Sequence, residues 1–438
     1  MSAIDYIDRY QSLADSLPGQ NLPWLNTLRQ LALGSFAASG FPSPREEEWK
    51  YTNVTALEKK LFVPSSLPTQ AAIDKASLEI HKLADTWSLV LVDGHFEPLL
   101  SDFIDLPEQV TATGLSAALK NHPDRVKALL GKALAKESHG FLAFNTAYFS
   151  DGAFIDIPSG VILDKPIQIL HVSTCNEALA NTRSLVALAA NAEAKLIETF
   201  VGLPGISYLT AAVTEIHLGE NAGLGHYKLQ VETDKAYHFG GVYVKQQKSS
   251  RFNQHNLSFG GLLARNEIHA ELATAAECEM NGLFLAKGRQ HVDNHTLIHH
   301  TEPYGTSRET YRGVLADRAK GVFQGRIVVH PQAQKTSAEM DNRNLLLSDD
   351  AEIDAKPQLE ILADDVKCSH GVAIGQLDAE SVFYLVSRGI DRETAKNMLT
   401  FAFANEMVEK VGLESLHGRV LEHLLNLFPQ TGIRRDWL

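Results

Sequence analysis

From Ala153 to Leu377 the sequence consists of short apolar or alternating runs that are interrupted every few residues by Gly, Asn, Asp or Pro. Such runs predict short β-strands separated by turns. The stretch covers more than half of the 438 residues and contains no convincing helical pattern. It therefore predicts one large all-β domain, which could be a sandwich, a propeller or a solenoid.

A weak internal repeat favours the solenoid. An alanine followed by another small or polar residue recurs at turn positions, with spacings near one or two units of about 28 residues. The positions are Ala192, Ala222, Ala276 and Ala333, with Ala351 out of step. Stacked β coils that bury their faces on one another would produce such spacings. A sandwich with chance spacings stays open, whereas the absence of WD and kelch signatures counts against a propeller.

The two flanks of this region are predicted to be helical. Apolar residues at helical spacing begin at Ile4, and Pro23 is placed to start a second helix. At the other end, Asp378 and Asp391 are each placed to cap a helix. We therefore predict three domains: a mostly helical domain over 1–150, the β domain over 151–377, and a helical domain over 378–438.

Charge and composition exclude several classes of protein. The chain has 40 basic and 53 acidic residues, a net charge of −13, which argues against nucleic-acid and anionic-membrane partners. No run of 18 apolar residues is present, and the N-terminus lacks the apolar core of a secretory signal. The 3 cysteines have no C-x-x-C spacing, so we predict a cytoplasmic protein of a reducing compartment.

A histidine-rich segment, His291-Val-Asp-Asn-His-Thr-Leu-Ile-His-His, is the first candidate for chemistry. On a helix, His291, His295 and His299 would share one face and could hold a metal ion. The surrounding sequence is strand-like, however, and in a strand four residues span about 13 Å, too far for two such histidines to share an ion. We therefore interpret these residues as histidines on the surface of a β-sheet.

The second candidate is Cys368-Ser-His370-Gly, at the end of the β region. Residues two apart in a strand project to the same face, about 6–7 Å apart at Cα. A thiolate and an imidazole in this arrangement suit soft metal ions or iron–sulfur chemistry, and they also resemble half of a Cys–His nucleophile pair. By itself the pattern is weak, because a Cys and a His on one strand usually have no chemical role.

Several other motifs are absent from the sequence. It has no G-x-x-x-x-G-K-[ST], no G-x-S-x-G, no H-E-x-x-H and no convincing dinucleotide fingerprint, so no catalytic residues are assigned. One unusual feature is the run Leu399-Thr-Phe-Ala-Phe-Ala, which is apolar on every side of its predicted helix. It is either part of the core or a surface for a partner.

Six sequence blocks occur in an order that resembles one family, the SufB/SufD family of iron–sulfur cluster assembly proteins. The blocks begin at Gly321, Ala333, Asn342, Lys356, Asp365 and Phe383. The resemblance covers about residues 150–410 closely, and the Arg45–Thr52 block is similar to the family's N-terminal helical region. The sequence Cys-Ser-His-Gly in the closing coil favours the SufD branch over the SufB branch.

The resemblance implies a fold and a set of partners. The fold is a mainly β protein with a right-handed parallel β-helix core, flanked by N-terminal and C-terminal α-helical domains. The implied role is a non-enzymatic subunit of the SUF scaffold that pairs with SufB, builds and hands on iron–sulfur clusters, and supports iron acquisition. A homodimer is also expected when SufB is absent, because an edge coil of the β-helix that pairs with SufB could pair with its own copy in a second chain.

The resemblance also implies site residues. His370, with Cys368 as a weaker candidate, would contribute to a transient iron–sulfur cluster at the interface shared with SufB. Reduced flavin could supply electrons on the complex, with no binding residue identified. The C-terminal helices would bind the SufC ATPase, for which the apolar run offers Leu399, Phe401 and Phe403. A β-helix carbohydrate-active enzyme, with clustered acids on one face, remains the alternative.

Overall fold

A computed structural model of the chain describes residues 3–58, 60, 62–65, 78–134 and 139–427. Helices lie at both ends of the chain, and a short 3₁₀ turn spans Glu47–Trp49. The α-helices are α1 (Ala3–Ala14), α2 (Pro23–Ser39), α3 (Thr55–Glu58), α4 (Leu115–Asn121), α5 (Pro123–Leu129), α6 (Gly140–Tyr148), α7 (Ala379–Ser387), α8 (Arg392–Val408) and α9 (Glu414–Leu427).

The strands occupy the centre of the sequence. They are β1 (Val63–Pro64), β2 (Trp87–Val92), β3 (His95–Phe96), β4 (Thr111–Gly114), β5 (Ala153–Ile157), β6 (Ile167–Ser173), β7 (Ala178–Leu188), β8 (Glu193–Gly202), β9 (Leu209–Leu218), β10 (Gly223–Gln230), β11 (Tyr237–Gln246), β12 (Arg251–Ser258), β13 (Leu263–Leu272), β14 (Glu277–Ala286), β15 (His291–His300), β16 (Thr306–Leu315), β17 (Lys320–Val329), β18 (Ser337–Leu346), β19 (Glu352–Ile361) and β20 (Lys367–Gly375).

These strands form two sheets that face each other and that are parallel except for the antiparallel pairs β2–β3 and β4–β5. From β5 onward, the odd-numbered strands stack in order up to β19, and from β6 onward the even-numbered strands stack in order up to β20. Leu224 pairs with Phe252 on the next rung, so one coil takes about as many residues as the predicted repeat. The predicted parallel β-helix flanked by helices is confirmed, with about 8 turns. The structure is thus a solenoid and not a sandwich.

The repeating alanines have a physical reason. Ala192, Ala222 and Ala276 are fully buried, and each follows a turn residue with positive φ. Two of those turn residues, Asn191 and Asn221, stack with a hydrogen bond of 2.9 Å between their side chains. On the rung between Ala222 and Ala276 the same position holds the small, buried Ser250, again after a residue with positive φ, so a small side chain recurs behind these turns.

Side chains that point between the two sheets fill the lumen of the β-helix. Along the even strands, every second residue faces inward, as Ala194 and Leu196 do on β8. The lumen is apolar where the even strands begin but contains polar residues such as Glu198, Lys228 and Gln230 farther along these strands. This alternation fixes which residues of the last strand face the lumen.

The two helical regions cover opposite outer faces of the β-helix. N-terminal residues that include Phe36, Trp49 and Phe144 pack on the odd sheet. C-terminal residues that include Phe401 and Leu416 pack on the even sheet. As predicted, Asp378 and Asp391 cap α7 and α8 by accepting hydrogen bonds from backbone N–H groups of the first turn. No helix in the described ranges is both long and apolar enough to span a bilayer.

Candidate functional site

The last coil differs from every coil below it. Strand β20 ends the even sheet and β19 ends the odd sheet, so each has a neighbouring strand on only one side. Most side chains of β20 are exposed, whereas nearly all inward-facing side chains of the lower coils are buried. The β-helix is therefore open at this end, and its backbone presents unpaired hydrogen-bonding groups.

Cys368 and His370 both face the lumen at this open end. Cys368 pairs in register with Ala338 and His370 with Met340, and both of these β18 residues are buried inside the lumen. Cys368 is half-buried against the lumenal core, and this burial raises the pKa of its thiol. His370 is exposed. The strand geometry predicted from the sequence thus holds, and both side chains can be reached from beyond the end of the stack.

Apolar side chains surround this pair. Leu362 is 60% exposed and Ile374 is 49% exposed, and Ile361 and Val372 are exposed as well. One rung below, the residues in register with Ile361, Val372 and Ile374 are Val329, Asn342 and Asn344, and all three are buried. We call the four exposed residues the terminal edge, because an exposed apolar strand edge of this kind is a surface for association.

The histidine segment at His291 is indeed a strand. It forms β15, as the sequence interpretation predicted, but it is not at the surface. His291 contacts the hydroxyl group of Thr52 at 2.9 Å, and His295 lies 2.9 Å from Asp293. The N-terminal segment around Glu48 covers these residues. Burial and the Arg265 guanidinium act to lower the pKa of His295, but the Asp293 carboxylate and, to a smaller extent, Glu48 hold this pKa above its usual range. The segment attaches the N-terminal region to the odd sheet.

Helix α8 places the three predicted ATPase-docking residues in different environments. Phe401 is only 3% exposed and packs on the even sheet of the chain itself. Leu399 and Phe403 are partly buried. Phe401 is thus part of the core that joins the C-terminal helices to the β-helix, and docking through this helix stays a prediction for the other two residues.

Helix α7 exposes a surface that the sequence analysis did not select. Phe383 is 73% exposed and Tyr384 is 57% exposed, and Val386 is exposed beside them. A groove of about 530 Å³ lies next to them, with Phe383, Val386 and Lys396 among its lining residues. A signal was present in the sequence, because Phe383 and Tyr384 lie outside the apolar stripe that Val382 and Leu385 begin.

No preformed metal centre is found within the described residues. No group of three or more His, Cys, Asp and Glu side chains there is arranged to hold a metal ion. The pair on β20 supplies two donors, so a metal or cluster would need further ligands from another molecule. The same observation applies to the carbohydrate-active alternative, because no cluster of three or more acids placed to hold a metal ion is found among the described residues.

Comparison with known protein families shows which family the chain belongs to. A family model described as the SUF system FeS cluster assembly SufBD core domain matches residues 171–403, and a SufBD protein N-terminal region model matches residues 1–169. The chain belongs to the SufB/SufD family. The core model alone covers more than half of the chain and includes the last coil with Cys368 and His370.

Individual members of the SufB/SufD family are similar over nearly the whole chain. An iron–sulfur cluster assembly SufBD family protein of Synechocystis is 32% identical, with 90% of this chain and 88% of the relative covered. The iron–sulfur cluster assembly protein SufD of Escherichia coli is 31% identical, with 91% and 92% covered. SufD of Bacillus subtilis is 25% identical, with 91% and 92% covered. These relatives support the placement in the SufD branch.

Proposed function

We propose that this chain is a non-enzymatic subunit of the SUF scaffold that pairs with SufB, binds the SufC ATPase, and helps to build and hand on iron–sulfur clusters. Membership of the SufB/SufD family supports a role in cluster assembly. The observation that carries the rest is the open last coil, where Cys368 and His370 face the lumen beside exposed apolar residues. Such an activity would serve iron acquisition by the cell.

Pairing with SufB would use the terminal edge. The edge combines an unpaired strand with exposed side chains at Leu362, Val372 and Ile374, the two features that promote strand-to-strand association. A partner with a similar open coil could continue both sheets across the interface and bury this apolar surface. In the absence of SufB, a second copy of this chain offers the same surface, so a homodimer is expected then.

The transient cluster would lie at this interface. His370 can donate a neutral imidazole nitrogen to iron, and Cys368 can donate a thiolate after losing its proton. Because burial raises the pKa of the Cys368 thiol, the neutral thiol is favoured, and the partner is expected to supply the main thiolate. A mixed His and Cys site divided between two chains would hold a cluster loosely enough to transfer it. Electrons for assembly would come from reduced flavin on the complex.

The ATPase would dock on the C-terminal helices, with α7 as the central contact. Phe383 and Tyr384 offer a large exposed aromatic surface, and the groove beside them reaches α8 at Lys396. Leu399 and Phe403 retain part of their surface on α8, so they could extend the contact. Aromatic residues in such positions commonly dominate the binding energy of an interface.

The cluster role is tested by the substitution His370→Ala in the complex reconstituted with SufB and SufC. Iron and sulfide bound per complex should fall sharply, while the fold and the pairing with SufB should be unchanged. Cys368→Ala should have a smaller effect, and His330→Ala, a histidine outside the last coil, should have none. Wild-type iron and sulfide in His370→Ala would contradict the proposed role.

The docking role is tested by Phe383→Asp, with Leu31→Asp as the matched control on the exposed face of α2. Binding of the ATPase should be lost in the first variant and retained in the second, because only the first places a charge in the proposed contact. Circular dichroism should show both variants folded. If Phe383→Asp binds the ATPase with unchanged affinity, α7 is not the docking helix.

A further inference from the structure

A path of hydrogen-bonded, buried polar side chains runs through the lumen of the middle coils. It begins at Lys228, whose ammonium group donates to Nε2 of His238 at 2.8 Å and to Oδ1 of Asn266 at 2.7 Å. Nδ1 of His238 lies 2.7 Å from the carboxylate of Glu232, so Nδ1 carries the ring proton and Nε2 accepts from the lysine. Gly240 leaves the necessary space, since a Cβ there would lie 2.1 Å from the lysine nitrogen.

The path of polar side chains continues toward the open end of the β-helix. Asn266 donates to Oδ1 of Asn294 at 3.4 Å, and Asn256 donates to the same oxygen at 2.9 Å. The hydroxyl group of Tyr311 lies beside Asn256. Glu309 follows on the same strand, two residues before Tyr311, so both face the lumen. All five side chains are almost completely buried.

Many polar atoms along this path have no hydrogen-bond partner among the described residues. They include both carboxylate oxygens of Glu309, the hydroxyl group of Tyr311, Oδ1 of Asn256, Nδ2 of Asn294 and both amide atoms of Gln254. A buried polar group without a hydrogen-bond partner destabilises the folded state, because it has lost its bonds to water and gained none. Native proteins usually satisfy such groups with ordered internal water, at sites that offer several polar partners. Apart from those of Gln254, the unpaired atoms belong to the side chains of the path described above, and internal water bound there would satisfy them.

Glu309 is the exceptional member of this path. Thr296 lies beside its carboxyl group, and the titratable groups that face it are Tyr311 and Cys278, neither of which is a cation. Burial raises the pKa of Glu309 to about 7, against a smaller lowering by the Thr296 hydroxyl group. A buried acid with this environment must either take up a proton or be solvated by something that the protein itself does not supply.

We propose that the lumen between Lys228 and Glu309 contains a chain of internal water molecules, and that Glu309 is a proton-binding site that exchanges its proton with this water. The amide side chains of the path cannot relay protons readily by themselves, whereas waters bound to their free atoms can. The next residue in register after Glu309 is Met340, and His370 follows it, so the site lies two rungs below the open end, about 10 Å away. The proposal goes beyond the role in cluster assembly and does not depend on it.

Met340 separates the site from the open end. A Cβ on Gly325 of the opposite sheet would lie 2.7 Å from the Met340 sulfur, so the thioether crosses the lumen at this level. The site is therefore internal, and proton exchange would pass along the water chain on the other side of Glu309. This placement distinguishes it from the pair Cys368 and His370, which is open to solvent.

Infrared spectroscopy of the full chain tests the proposal. In the wild-type chain we expect the C=O stretching band of a protonated buried carboxyl group, which should disappear as the pH rises from 5 to 9. The band should shift in D₂O without unfolding, because internal water exchanges its protons. Glu309→Gln should abolish the band. Glu198→Gln should retain it, since Glu198 is an equally buried acid whose carboxylate is paired with His226 at 2.9 Å.

The results that would overturn the proposal are specific. A wild-type spectrum without a titrating carboxyl band would show that Glu309 is ionised throughout, and a band that stays unshifted in D₂O would show a dry lumen. If Glu309→Gln does not fold, Thr296→Val serves instead. Loss of the hydroxyl group that favours the carboxylate should move the midpoint of the titration to higher pH. An unchanged or lower midpoint would contradict the assignment of the band to Glu309.

Discussion

Cys278 and Cys368 occupy the same inward-facing column of the even sheet and yet differ in almost every property. The column runs from Cys278 through Ser307 and Ala338 to Cys368, so the two thiols are three rungs, or about 14 Å, apart. Cys278 is closed in by coils on both sides, and Cys368 has a coil on one side only. Burial raises the pKa of both thiols, and much further for Cys278. Position in the stack, and not residue type, decides which thiol can meet a partner.

The same contrast extends to the charged residues. On β7 and β9, in the lower coils, Arg183 and Glu215 form a fully buried ion pair at 2.6 Å between the odd sheet and the N-terminal helices. On the last odd strand, Glu360 pairs with Arg326 of β17 at 2.7 Å, but both side chains are partly exposed. The lower coils are therefore in contact with neighbouring coils and with the N-terminal helices, whereas the last coil contacts one neighbouring coil.

The largest difference is expected in thiol labelling. Residue-resolved mass spectrometry after treatment with a thiol reagent should show Cys278 labelled roughly 1,000-fold more slowly than the exposed Cys175, because Cys278 reacts only when the coils open. Cys368 should lie between the two. If Cys368 is labelled as slowly as Cys278, the last coil is closed in solution and the comparison fails.

The next difference concerns the two ion pairs. Arg183→Met leaves the Glu215 carboxylate buried without its cation and should lower the free energy of unfolding by about 3–5 kcal/mol. Arg326→Met, the matched change in the pair that joins β17 to the last coil, should cost less than about 1 kcal/mol. Urea unfolding monitored by circular dichroism measures both. The double variant Arg183→Met/Glu215→Leu should recover much of the loss, and similar costs for both single variants would contradict this account.

A smaller effect on stability is expected from two acids within the lumen, whose pKa values are shifted in opposite directions. The pKa of Glu198 is lowered to about 2, with His226 the main cause, so its ion pair stabilises the fold above pH 4.5 and that stability is lost as the pH falls toward 2. The pKa of Glu309 is raised to about 7, so its burial destabilises the fold increasingly as the pH rises from 4.5 to 7.

Each shift corresponds to at most about 3 kcal/mol. Glu198→Gln should therefore be less stable than wild type at pH 6, with the difference shrinking by pH 3. Glu309→Gln should be more stable than wild type at pH 8 and equal to it near pH 4. Midpoints of urea unfolding at these four pH values measure both effects. If the two variants were both more stable or both less stable than wild type at pH 6–8, the predicted opposite effects of the two acids would be contradicted.

The sequence predicts those features of the fold that depend on residues close together in the chain. Strand length, turn punctuation and the buried alanines behind the turns, such as Ala192 and Ala222, all repeat along the chain, so the solenoid could be inferred. The capping roles of Asp378 and Asp391 depend on their own first turns and were correct for the same reason. The spacing of Cys368 and His370 on one strand face is likewise a local property.

The sequence could not decide properties that depend on distant residues. The run around Phe401 is apolar on every side, and only the fold shows that Phe401 packs on its own sheet while Phe383 stays exposed. His295 appeared to lie on an open sheet surface, because its cover, Glu48, is far away in the sequence. No local pattern marks Glu309, because its lack of a hydrogen-bond partner depends on the register of several strands.

The central claim is that the last coil is the surface that pairs with SufB. It is tested most directly by sedimentation velocity of this chain with SufB, for the variants Ile374→Asp and Leu362→Asp. Leu99→Asp is the control, because Leu99 is exposed and follows β3, the strand at the opposite end of the even sheet from β20. We predict that each last-coil variant stays folded and weakens pairing by at least roughly 100-fold, because it buries an unpaired charge, whereas the control pairs normally. Undiminished pairing in both last-coil variants would contradict the claim.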